Sequence, residues 1–242
     1  MPRRRLRLAL EHGIAVGYGL TYDAIVTSFP PYRALLEEVC RYAARSIAPR
    51  PDPRSAQVLD VACGIGTLAF RLAREGYTVV GLDGVEYLVE IAREKRRARN
   101  VPNLAFHGID IAGDALPWQD HFDFAVSLHT IYWHPRPRQV LERTRQALKP
   151  GAHALFLNYS RPVHVLPTFR QIRAREGLGP ALRSLRWLVP TALFEHFRHY
   201  EPHYTDTAEL HALLAEAGFE VLEAKRTFLA DISCLAWTRR SR

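Results

Sequence analysis

Several features that would assign this chain to a special class of proteins are scarce or absent. The 242-residue sequence has three cysteines, Cys40, Cys63 and Cys234, and no CxxC pair, so neither a disulfide framework nor a zinc site is indicated. No apolar run approaches the ~20 residues that a membrane-spanning helix needs. The basic start does not form a signal peptide, because Glu11 and His12 interrupt its apolar part. The sequence predicts a cytoplasmic globular protein with reduced thiols.

Charge is the one unusual feature of the composition. Hydrophobic residues make up 48% and charged residues 24%, which suits one α/β domain, but the net charge is +8. Basic residues cluster at 3–7 and 93–99. Nucleic-acid binding is one interpretation. Solvated helix faces are the other, and they are favoured because runs of charge usually lie at the surface.

Buried strand patterns alternate with helical patterns along most of the chain. After a helix at 32–47, strands are predicted at 57–62, 77–83, 104–110, 122–129 and 152–160, with helices at 66–75, 85–99 and 137–148. This alternation predicts a doubly wound, mostly parallel sheet, as in Rossmann-like folds. The ligand crevice of such a sheet lies at the carboxyl ends of its strands.

The last part of the chain departs from this repeat. A helix at 205–219 precedes two strands at 218–228 and 231–240. Their connection is shorter than the dozen or so residues that a parallel crossover needs, so they must form an antiparallel hairpin that completes a seven-stranded α/β sheet. Residues 161–204, rich in proline, aromatics and arginine, predict short helices that form a lid over the crevice.

The stretch VLDVACGIGTLAF at 58–70 indicates where a ligand binds. Gly64 and Gly66 stand where the first strand turns into its helix, and bare backbone there lets a ligand approach closely. Asp83 ends the next strand, and its carboxylate can accept both hydroxyls of a ribose, which predicts an adenosine-containing ligand. The alternative is that Asp83 only caps the helix that begins near Val85.

Asp60 indicates which adenosine-containing ligand binds. Its carboxylate at the end of the first strand would repel a pyrophosphate and attract a ligand with an amino group and a sulfonium centre, as in S-adenosylmethionine. Asp110 ends the third strand and can accept the adenine amino group, while the N–H of Ile111 reaches a ring nitrogen. Asp114 is a rival for this role, but it lies further from the strand end.

These motifs resemble those of the class I S-adenosylmethionine-dependent methyltransferases. VLDVACGIG is similar to the family's first motif, D/E-x-G-x-G-x-G, with Ala62 in place of the first glycine, a small departure that slightly tightens the turn. VVGLDG, FHGIDIAGDALPW, FDFAVSLHTIYW and LKPG resemble later family motifs, and the closing hairpin is the family's sheet signature. The likeness covers residues 56–160 and 205–239 and is nearest to the branch acting on quinones and other small molecules.

The resemblance implies a single methyltransferase domain over residues 1–242, with an N-terminal helical cap at about 1–50 and the lid insert at about 161–204. It also implies an enzyme whose cofactor is S-adenosylmethionine. The cofactor contacts that it implies are Tyr22, Asp60, Ala62, Gly64, Gly66, Asp83, Gly84, Asp110, Ile111 and Ser127. Tyr22 enters because the family's N-terminal segment often folds over the cofactor with a tyrosine.

The chemistry of methyl transfer suggests two catalytic residues. Transfer from a sulfonium is an in-line displacement in which positioning contributes much of the rate, and an oxygen or acidic-carbon acceptor also needs a base. His129 follows the fourth strand and is predicted to be that base, with Tyr132 orienting the acceptor. The alternative is that His129 only forms a local hydrogen bond or lines the cofactor pocket.

The lid composition predicts the class of acceptor. Its aromatic residues would give it an apolar inner face, and three arginines could hold an anionic group. An aromatic or lipophilic small molecule, with or without an acidic group, is therefore the expected partner, unless the aromatics are simply the lid's own core. The residues concerned are Phe169, Trp187, Phe194, Phe197, Tyr200, Tyr204, Arg161, Arg170 and Arg173.

Three alternative functions remain open on the sequence alone. An RNA methyltransferase would suit the positive charge, although the fourth strand ends in S-L-H-T and not in the N/D-P-P-Y run of enzymes that methylate base amino groups. An NAD-dependent oxidoreductase would also use the glycine turn. A protein that binds the cofactor without turnover would carry the same three aspartates. No metal is predicted, because the spacing of His164, His196, His199 and His203 matches no zinc set.

Overall fold

The computed structural model describes residues 29–47, 52–197 and 202–241. Its strands are β1 Gln57–Val61, β2 Thr78–Asp83, β3 Leu104–Gly108, β4 Phe122–Leu128, β5 Leu148–Tyr159, β6 Phe219–Thr227 and β7 Ser233–Arg240. Its helices are α1 Pro30–Ser46, α2 Thr67–Arg74, α3 Glu86–Arg99, α4 Pro137–Ala147, α5 Val165–Glu176, α6 Leu178–Phe197 and α7 Thr207–Glu216. Among the described helices, none is both long enough and apolar enough to cross a bilayer.

All seven strands form one sheet in the order β3-β2-β1-β4-β5-β7-β6. The first five strands are parallel, and β7 runs antiparallel to both β5 and β6. The predicted fold class, a doubly wound seven-stranded sheet with a closing antiparallel hairpin, is therefore confirmed. The strand order reverses between β1 and β4, and this is where such sheets bind ligands.

The sheet is buried on both faces. Successive residues of a strand point to opposite faces, so Val58 of β1 packs into one core with Phe124, whereas its neighbour Leu59 packs into the other with Phe156. Helix α1 contributes Val39 to the first of these cores. Burial on both faces explains why the parallel strands read as continuous apolar runs.

Two strand ends differ from the sequence-based expectation. Strand β3 ends at Gly108, so Asp110 lies in the turn that follows. Strand β5 begins at Leu148, four residues earlier than expected, because Leu148 already pairs with Phe122 of β4. The register shifts between Phe122 and Phe124, and this irregularity accommodates Pro150 within the strand. The LKPG run does end α4 as predicted, but it also starts the strand.

The segment predicted to be a lid contains two helices packed against each other, α5 and α6, and we keep the name lid for them. The expectation of only short helices was wrong for α6, which has 20 residues. Pro190 lies inside this helix, where it removes one backbone hydrogen bond without ending the helix. Trp187 and Leu188, both buried just before it, hold the helix in place by packing into the core.

An unusual turn joins β6 to β7. Four consecutive residues, Phe228, Leu229, Ala230 and Asp231, have left-handed φ angles of 61°, 33°, 56° and 61°. Such angles are uncommon for residues other than glycine. The turn lies at the carboxyl edge of the parallel strands, because Ser233 pairs with Tyr159 at the end of β5. Its buried residues therefore line the same edge as the ligand crevice.

Candidate active site

The turn between β1 and α2 leaves its backbone open to a ligand. Ala62, Gly64 and Gly66 all have left-handed φ angles, of 57°, 54° and 81°. A Cβ at Gly66 would lie 2.4 Å from Cζ of Phe106, so packing alone requires glycine there. A Cβ at Gly64 would meet nothing within 4 Å. The open space over Gly64 is where a ligand can approach the main chain.

Ala62 stands where the resembling family has its first glycine. Its φ angle of 57° lies in the left-handed region, which costs an alanine about 1 kcal/mol relative to a right-handed conformation. The left-handed conformation is thus a physical reason for the family's glycine at this position. Alanine there adds backbone strain.

Asp83 links the glycine turn to the start of α3. Its Oδ2 accepts a 2.8 Å hydrogen bond from the N–H of Gly64, and its Oδ1 accepts a 2.9 Å bond from the N–H of Val85. Burial raises the pKa of this carboxyl, and the two backbone donors oppose that rise. The local bond to Val85 that the alternative interpretation required is present, but Asp83 also reaches the turn that would hold the ligand.

Of the three aspartates at this edge of the sheet, Asp60 has the fewest hydrogen-bond partners for its carboxyl group. The residue is only 2% exposed, and its Oδ2 has no hydrogen-bond partner. Burial, and then the nearby charge of Asp83, raise the pKa of Asp60 to about 8. A buried carboxyl oxygen without a donor is costly. A positively charged amino group would satisfy it, so this carboxyl fits the amino group of S-adenosylmethionine.

Asp110 lies in a network that the sequence did not reveal. Arg136 donates a 2.8 Å hydrogen bond to its Oδ2, and His134 Nε2 lies 3.2 Å from its Oδ1. Partial burial alone would raise the pKa of Asp110, but the N–H of Ala112, together with His134 and Arg136, lowers it. Asp114, the rival candidate, instead accepts the backbone N–H of Asp110 at 2.8 Å. The carboxylate is thus held ionised at the edge of the sheet.

Two further predicted contacts lie beside Asp110. Ile111 is buried at 5% exposure, and a Cβ at Gly84 would lie 3.2 Å from Cβ of Asp110. His134 and Arg136 could have been suspected only from the HPRPR run that follows β4. Nothing in their spacing indicates a contact with a residue that precedes them by more than 20 positions.

The end of β4 carries the predicted catalytic residues. His129 has a left-handed φ angle of 54°, its ring is stacked on Tyr159 at 3.8 Å between centroids, and its Nε2 lies 2.9 Å from Oγ of Ser233. Burial lowers the pKa of His129 to about 3. Ser127, two residues earlier, is fully buried, and its Oγ has no hydrogen-bond partner.

Aromatic rings surround His129 on the side of the lid. Tyr132 is buried and lies 4.7 Å from Tyr159 in a T-shaped pair, and Trp187 of α6 lies 5.2 Å from Phe228. Tyr204 stacks on Tyr132 at 6.1 Å. We call Tyr132, Tyr159, Trp187, Tyr204 and Phe228, together with His129, the aromatic cluster.

The predicted lid residues divide into those near this cluster and those away from it. Phe169 is half-buried against the same core. Arg161 is also half-buried and donates a 3.2 Å hydrogen bond to the carbonyl of Ala230, and burial, followed by the charge of Arg226, lowers its pKa. Arg170 and Arg173 are exposed. Tyr22, Tyr200 and the side chains of Phe194 and Phe197 lie outside the described residues.

Across residues 29–47, 52–197 and 202–241, no group of three or more histidine, cysteine or acidic side chains is arranged to hold a metal ion. His164 is exposed on the lid, whereas His199 and the side chain of His196 lie outside these ranges. The three cysteines are free thiols.

The fold, with three aspartates at the carboxyl edge of its sheet, is that of a nucleoside-binding α/β protein of the class I methyltransferase type. A family model described as a methyltransferase domain matches residues 32–224, about four fifths of the chain, so the chain belongs to this family. The predicted resemblance, and S-adenosylmethionine as the cofactor that goes with it, are thereby confirmed. The NAD-dependent oxidoreductase is no longer a candidate.

In sequence, two individual methyltransferases resemble only part of this chain. A ubiquinone biosynthesis O-methyltransferase of Acinetobacter baumannii is 30% identical over 105 residues, 43% of this chain and 44% of that protein. The 23S rRNA (uracil(1939)-C(5))-methyltransferase RlmD of Shewanella is 33% identical over 136 residues, 49% of this chain and 30% of that protein. The chain therefore matches less than half of the length of either relative.

A solved structure similar over the whole length has a bound small molecule. The 1,6-didemethyltoxoflavin-N1-methyltransferase of Burkholderia thailandensis, with bound 1,6-didemethyltoxoflavin and S-adenosylhomocysteine, superposes with a TM-score of 0.65. The similarity covers 100% of this chain and 91% of that one, at 16% identity. At this identity the match supports the fold alone.

Proposed function

We propose that this protein transfers the methyl group of S-adenosylmethionine to a small aromatic or lipophilic acceptor bound under the lid. The observation that carries the proposal is the aromatic cluster, which lies between the end of β4 and helix α6. Flat, apolar walls with few polar groups suit a planar acceptor. Three free thiols, one of them buried, agree with a reducing compartment such as the cytoplasm.

The cofactor, when bound, supplies an activated methyl group on a sulfonium centre. We assign its binding to three carboxyl groups of this chain. Asp60 pairs with the amino group and loses its unsatisfied state, Asp83 accepts the ribose hydroxyls, and Asp110 accepts the adenine amino group. The carboxylate takes the open space over Gly64, next to the N–H groups at the start of α2, since the N–H of Gly64 itself is already bonded to Asp83. Gly84, Ile111 and Ser127 complete the predicted lining.

The acceptor is held by the aromatic cluster and oriented by Tyr132. Arg161 is the cation best placed to receive an acidic group on the acceptor, since it is half-buried near the β6–β7 turn, whereas Arg170 and Arg173 are exposed. Holding the acceptor in line with the methyl group accounts for most of the rate acceleration that the protein must provide.

His129 is the proposed base, and its environment limits what it can do. Because burial lowers its pKa to about 3, the ring stays neutral and able to accept a proton over the whole physiological range. A base this weak cannot deprotonate a free phenol, whose pKa is about 10, so His129 takes the proton only as the acceptor oxygen bonds to the methyl group and its O–H becomes strongly acidic. Ser233 fixes the ring by its contact with Nε2. The alternative is that His129 only lines the pocket, and the kinetics of His129→Gln distinguish the two roles.

The test is an acceptor screen with a matched pair of tryptophan variants. Purified protein is incubated with S-adenosylmethionine and a set of catechols, hydroxyquinones and aromatic acids, and S-adenosylhomocysteine formation is measured. Trp187→Ala should raise the KM for the acceptor at least about tenfold, because it removes a wall of the cluster, and should leave cofactor affinity unchanged. Trp118→Ala is the control, since that ring packs on Phe122 at the amino end of β4.

The variants also decide the role of His129. His129→Gln should lower kcat by about 10²-fold or more with little change in the acceptor KM if the ring is the base. A rise in KM alone would show that it only lines the pocket. Turnover that Trp187→Ala and Trp118→Ala affect equally would contradict an acceptor site under the lid.

A second candidate function is methylation of RNA. The net charge of +8 and the similarity to an rRNA methyltransferase favour it. Binding carried by phosphate contacts weakens steeply with salt, by a factor of about 10³ or more between 50 and 200 mM for six or more contacts. Turnover that requires RNA and is lost over this range would favour the second candidate over the first.

A further inference from the structure

Exposed apolar side chains are concentrated on the lid. Seven large apolar residues in the described part of the chain are clearly exposed, and five of them belong to α5 and α6. These five are Leu166 at 56%, Leu178 at 53%, Leu182 at 53%, Val189 at 42% and Leu193 at 54%. The other two are Tyr87 at 39% and Leu222 at 37%. An apolar patch of this kind marks an interaction surface more often than isolated exposed residues do.

Four of the five lie on one face of α6. Leu178, Leu182, Val189 and Leu193 follow one another at steps of four, seven and four residues, which places them along one side of a helix. The other side of α6 is already buried against the core through Ala181, Ser184, Leu188 and Thr191. The exposed side, which we call the outer lid face, is therefore not needed to hold the helix in place.

The surroundings of the outer lid face are strongly basic. Arg170, Arg173, Arg183 and Arg186 are exposed, and none of them is ion-paired with an acidic side chain in the described ranges. Of the arginines on these two helices, Arg175 has such a partner, Asp231 at 2.9 Å. Between residues 165 and 193 the only acidic residue is Glu176. The face thus combines a row of leucines with unbalanced positive charge.

We propose that the outer lid face docks on an anionic lipid surface. Arginines beside a row of apolar side chains match the two layers of such a surface, because the arginines contact anionic headgroups while the leucines enter the acyl boundary. The proposal does not depend on which acceptor is methylated.

Charge complementarity favours lipid over the other possible occupants. A second copy of the protein would bring the same positive charge, and the chain's own residues 3–7, RRRLR, are basic as well. Both would be repelled by the arginines around the face. RNA would satisfy the arginines but would leave the row of leucines in water. An anionic lipid surface satisfies both kinds of side chain.

The experiment is vesicle co-sedimentation of the full chain. Vesicles of pure phosphatidylcholine are compared with vesicles containing about 30% phosphatidylglycerol, at about 0.15 M salt, where surface charge is screened beyond ~8 Å. Two double variants remove the leucines or the charge: Leu182→Ser with Val189→Ser, and Arg183→Gln with Arg186→Gln. The matched control is Tyr87→Ser with Leu222→Ser, which removes the two exposed apolar residues outside the lid. Thermal unfolding confirms that each variant folds.

The expected result is binding of the unaltered protein to anionic vesicles only, with the bound fraction reduced about tenfold in both lid variants and unchanged in the control. No binding to anionic vesicles would overturn the proposal. Binding that both lid variants retain would overturn it as well, since the surface would lie elsewhere. A lid variant that alters the oligomeric state by light scattering, and not vesicle binding, would assign the face to a second copy.

Discussion

The N–H of Gly64 donates a 2.8 Å hydrogen bond to Oδ2 of Asp83, across 19 residues of sequence. The bond joins the turn after β1 to the end of β2. Because Val85 donates to the other oxygen of the same carboxylate, the position of Asp83 is fixed before any ligand arrives. The turn and the acidic residue therefore form one preorganised unit, and changes on either side of the bond should affect ligand binding.

Alanine substitutions at three glycines with left-handed φ angles distinguish the effect of packing from the effect of ligand access. Gly64→Ala and Gly151→Ala should each destabilise the protein by about 1 kcal/mol, because both positions are strained for alanine but have nothing within 4 Å of the new Cβ. Gly66→Ala should cost at least about 2 kcal/mol more, since its Cβ would overlap Phe106. Urea unfolding measures all three.

The order of these variants in cofactor affinity should differ from their order in stability. Gly64→Ala places a methyl group in the space over the turn and should weaken S-adenosylhomocysteine binding about tenfold or more in calorimetry. Gly151→Ala, equally strained but at the start of β5, should bind normally. Equal affinities in these two variants would show that the ligand does not approach Gly64.

Ala62 offers a substitution that should stabilise the protein. Its φ angle of 57° is strained for alanine and free of strain for glycine, so Ala62→Gly should raise the free energy of unfolding by about 0.5–1 kcal/mol. The control is Ala34→Gly on the exposed side of α1, where the same change should destabilise by about 0.5–1 kcal/mol. A loss of stability in both variants would mean that Ala62 is not strained.

Cofactor affinity should depend on pH through Asp60. Its carboxyl has a pKa of about 8 and must lose its proton to pair with the amino group of the cofactor. Between pH 6 and 8 the affinity for S-adenosylmethionine should therefore rise by up to about tenfold per pH unit. Asp83, whose pKa is itself raised by burial, and the partly buried thiol of Cys63 are the other titratable groups that face Asp60.

The variant Asp60→Asn tests this dependence. An amide cannot ionise, so binding should be weak and almost independent of pH over the same range. Asp52→Asn, at an exposed position before β1, should retain the full dependence. Calorimetry in buffers of different ionisation enthalpy should detect close to one proton released per cofactor bound at pH 7. An unaltered protein whose affinity is constant from pH 6 to 8 would contradict the assignment of Asp60.

Protein stability should fall on acidification because of His129. The folded pKa is about 3 and the ordinary value is 6.5, so the unfolded chain binds one more proton between these limits. Stability contributed by the neutral ring is present above pH 6.5 and is lost as the pH falls towards 3, at up to about 1.4 kcal/mol per pH unit. Urea unfolding at pH 7, 6 and 5 should show a shallower fall in His129→Gln.

Ser233→Ala separates burial from hydrogen bonding at this histidine. It removes the hydroxyl next to Nε2 but leaves the ring buried, and burial is the cause of the lowered pKa. The variant should therefore keep the slope of the unaltered protein. If Ser233→Ala has the shallow slope of His129→Gln, the hydrogen bond and not burial controls the ionisation.

The succession of strands and helices along the chain, and the antiparallel closing hairpin, could be predicted because local pattern and connection length determine them. Continuous apolar runs mark strands buried on both faces, and the short connection before β7 leaves only an antiparallel pairing. The length of α6 and the early start of β5 could not be predicted, because both include a proline. Packing of Trp187 and Leu188 overrides the first proline, and pairing with β4 accommodates the second.

The positions of the three acidic groups followed from the same pattern. In a parallel sheet the carboxyl ends of β1, β2 and β3 share one edge, so Asp60 and Asp83 lie near each other there and Asp110 follows in the turn after β3. His134 and Arg136 were missed because they reach Asp110 from a loop whose path depends on tertiary packing. The lowered pKa of His129 was missed for a similar reason, since the rings that pack against it come from β5 and the β6–β7 turn.

The position of β7 determines when the sheet can be completed during synthesis. This strand is made after β6, yet it lies between β5 and β6 in the sheet. A nascent chain that has emerged from the ribosome only as far as residue 232 has β5 with one edge unpaired and β6 with no neighbour in the sheet. The ends of β4 and β5, and with them the aromatic cluster, can reach their final arrangement only after Ser233–Arg240 has been translated and inserted.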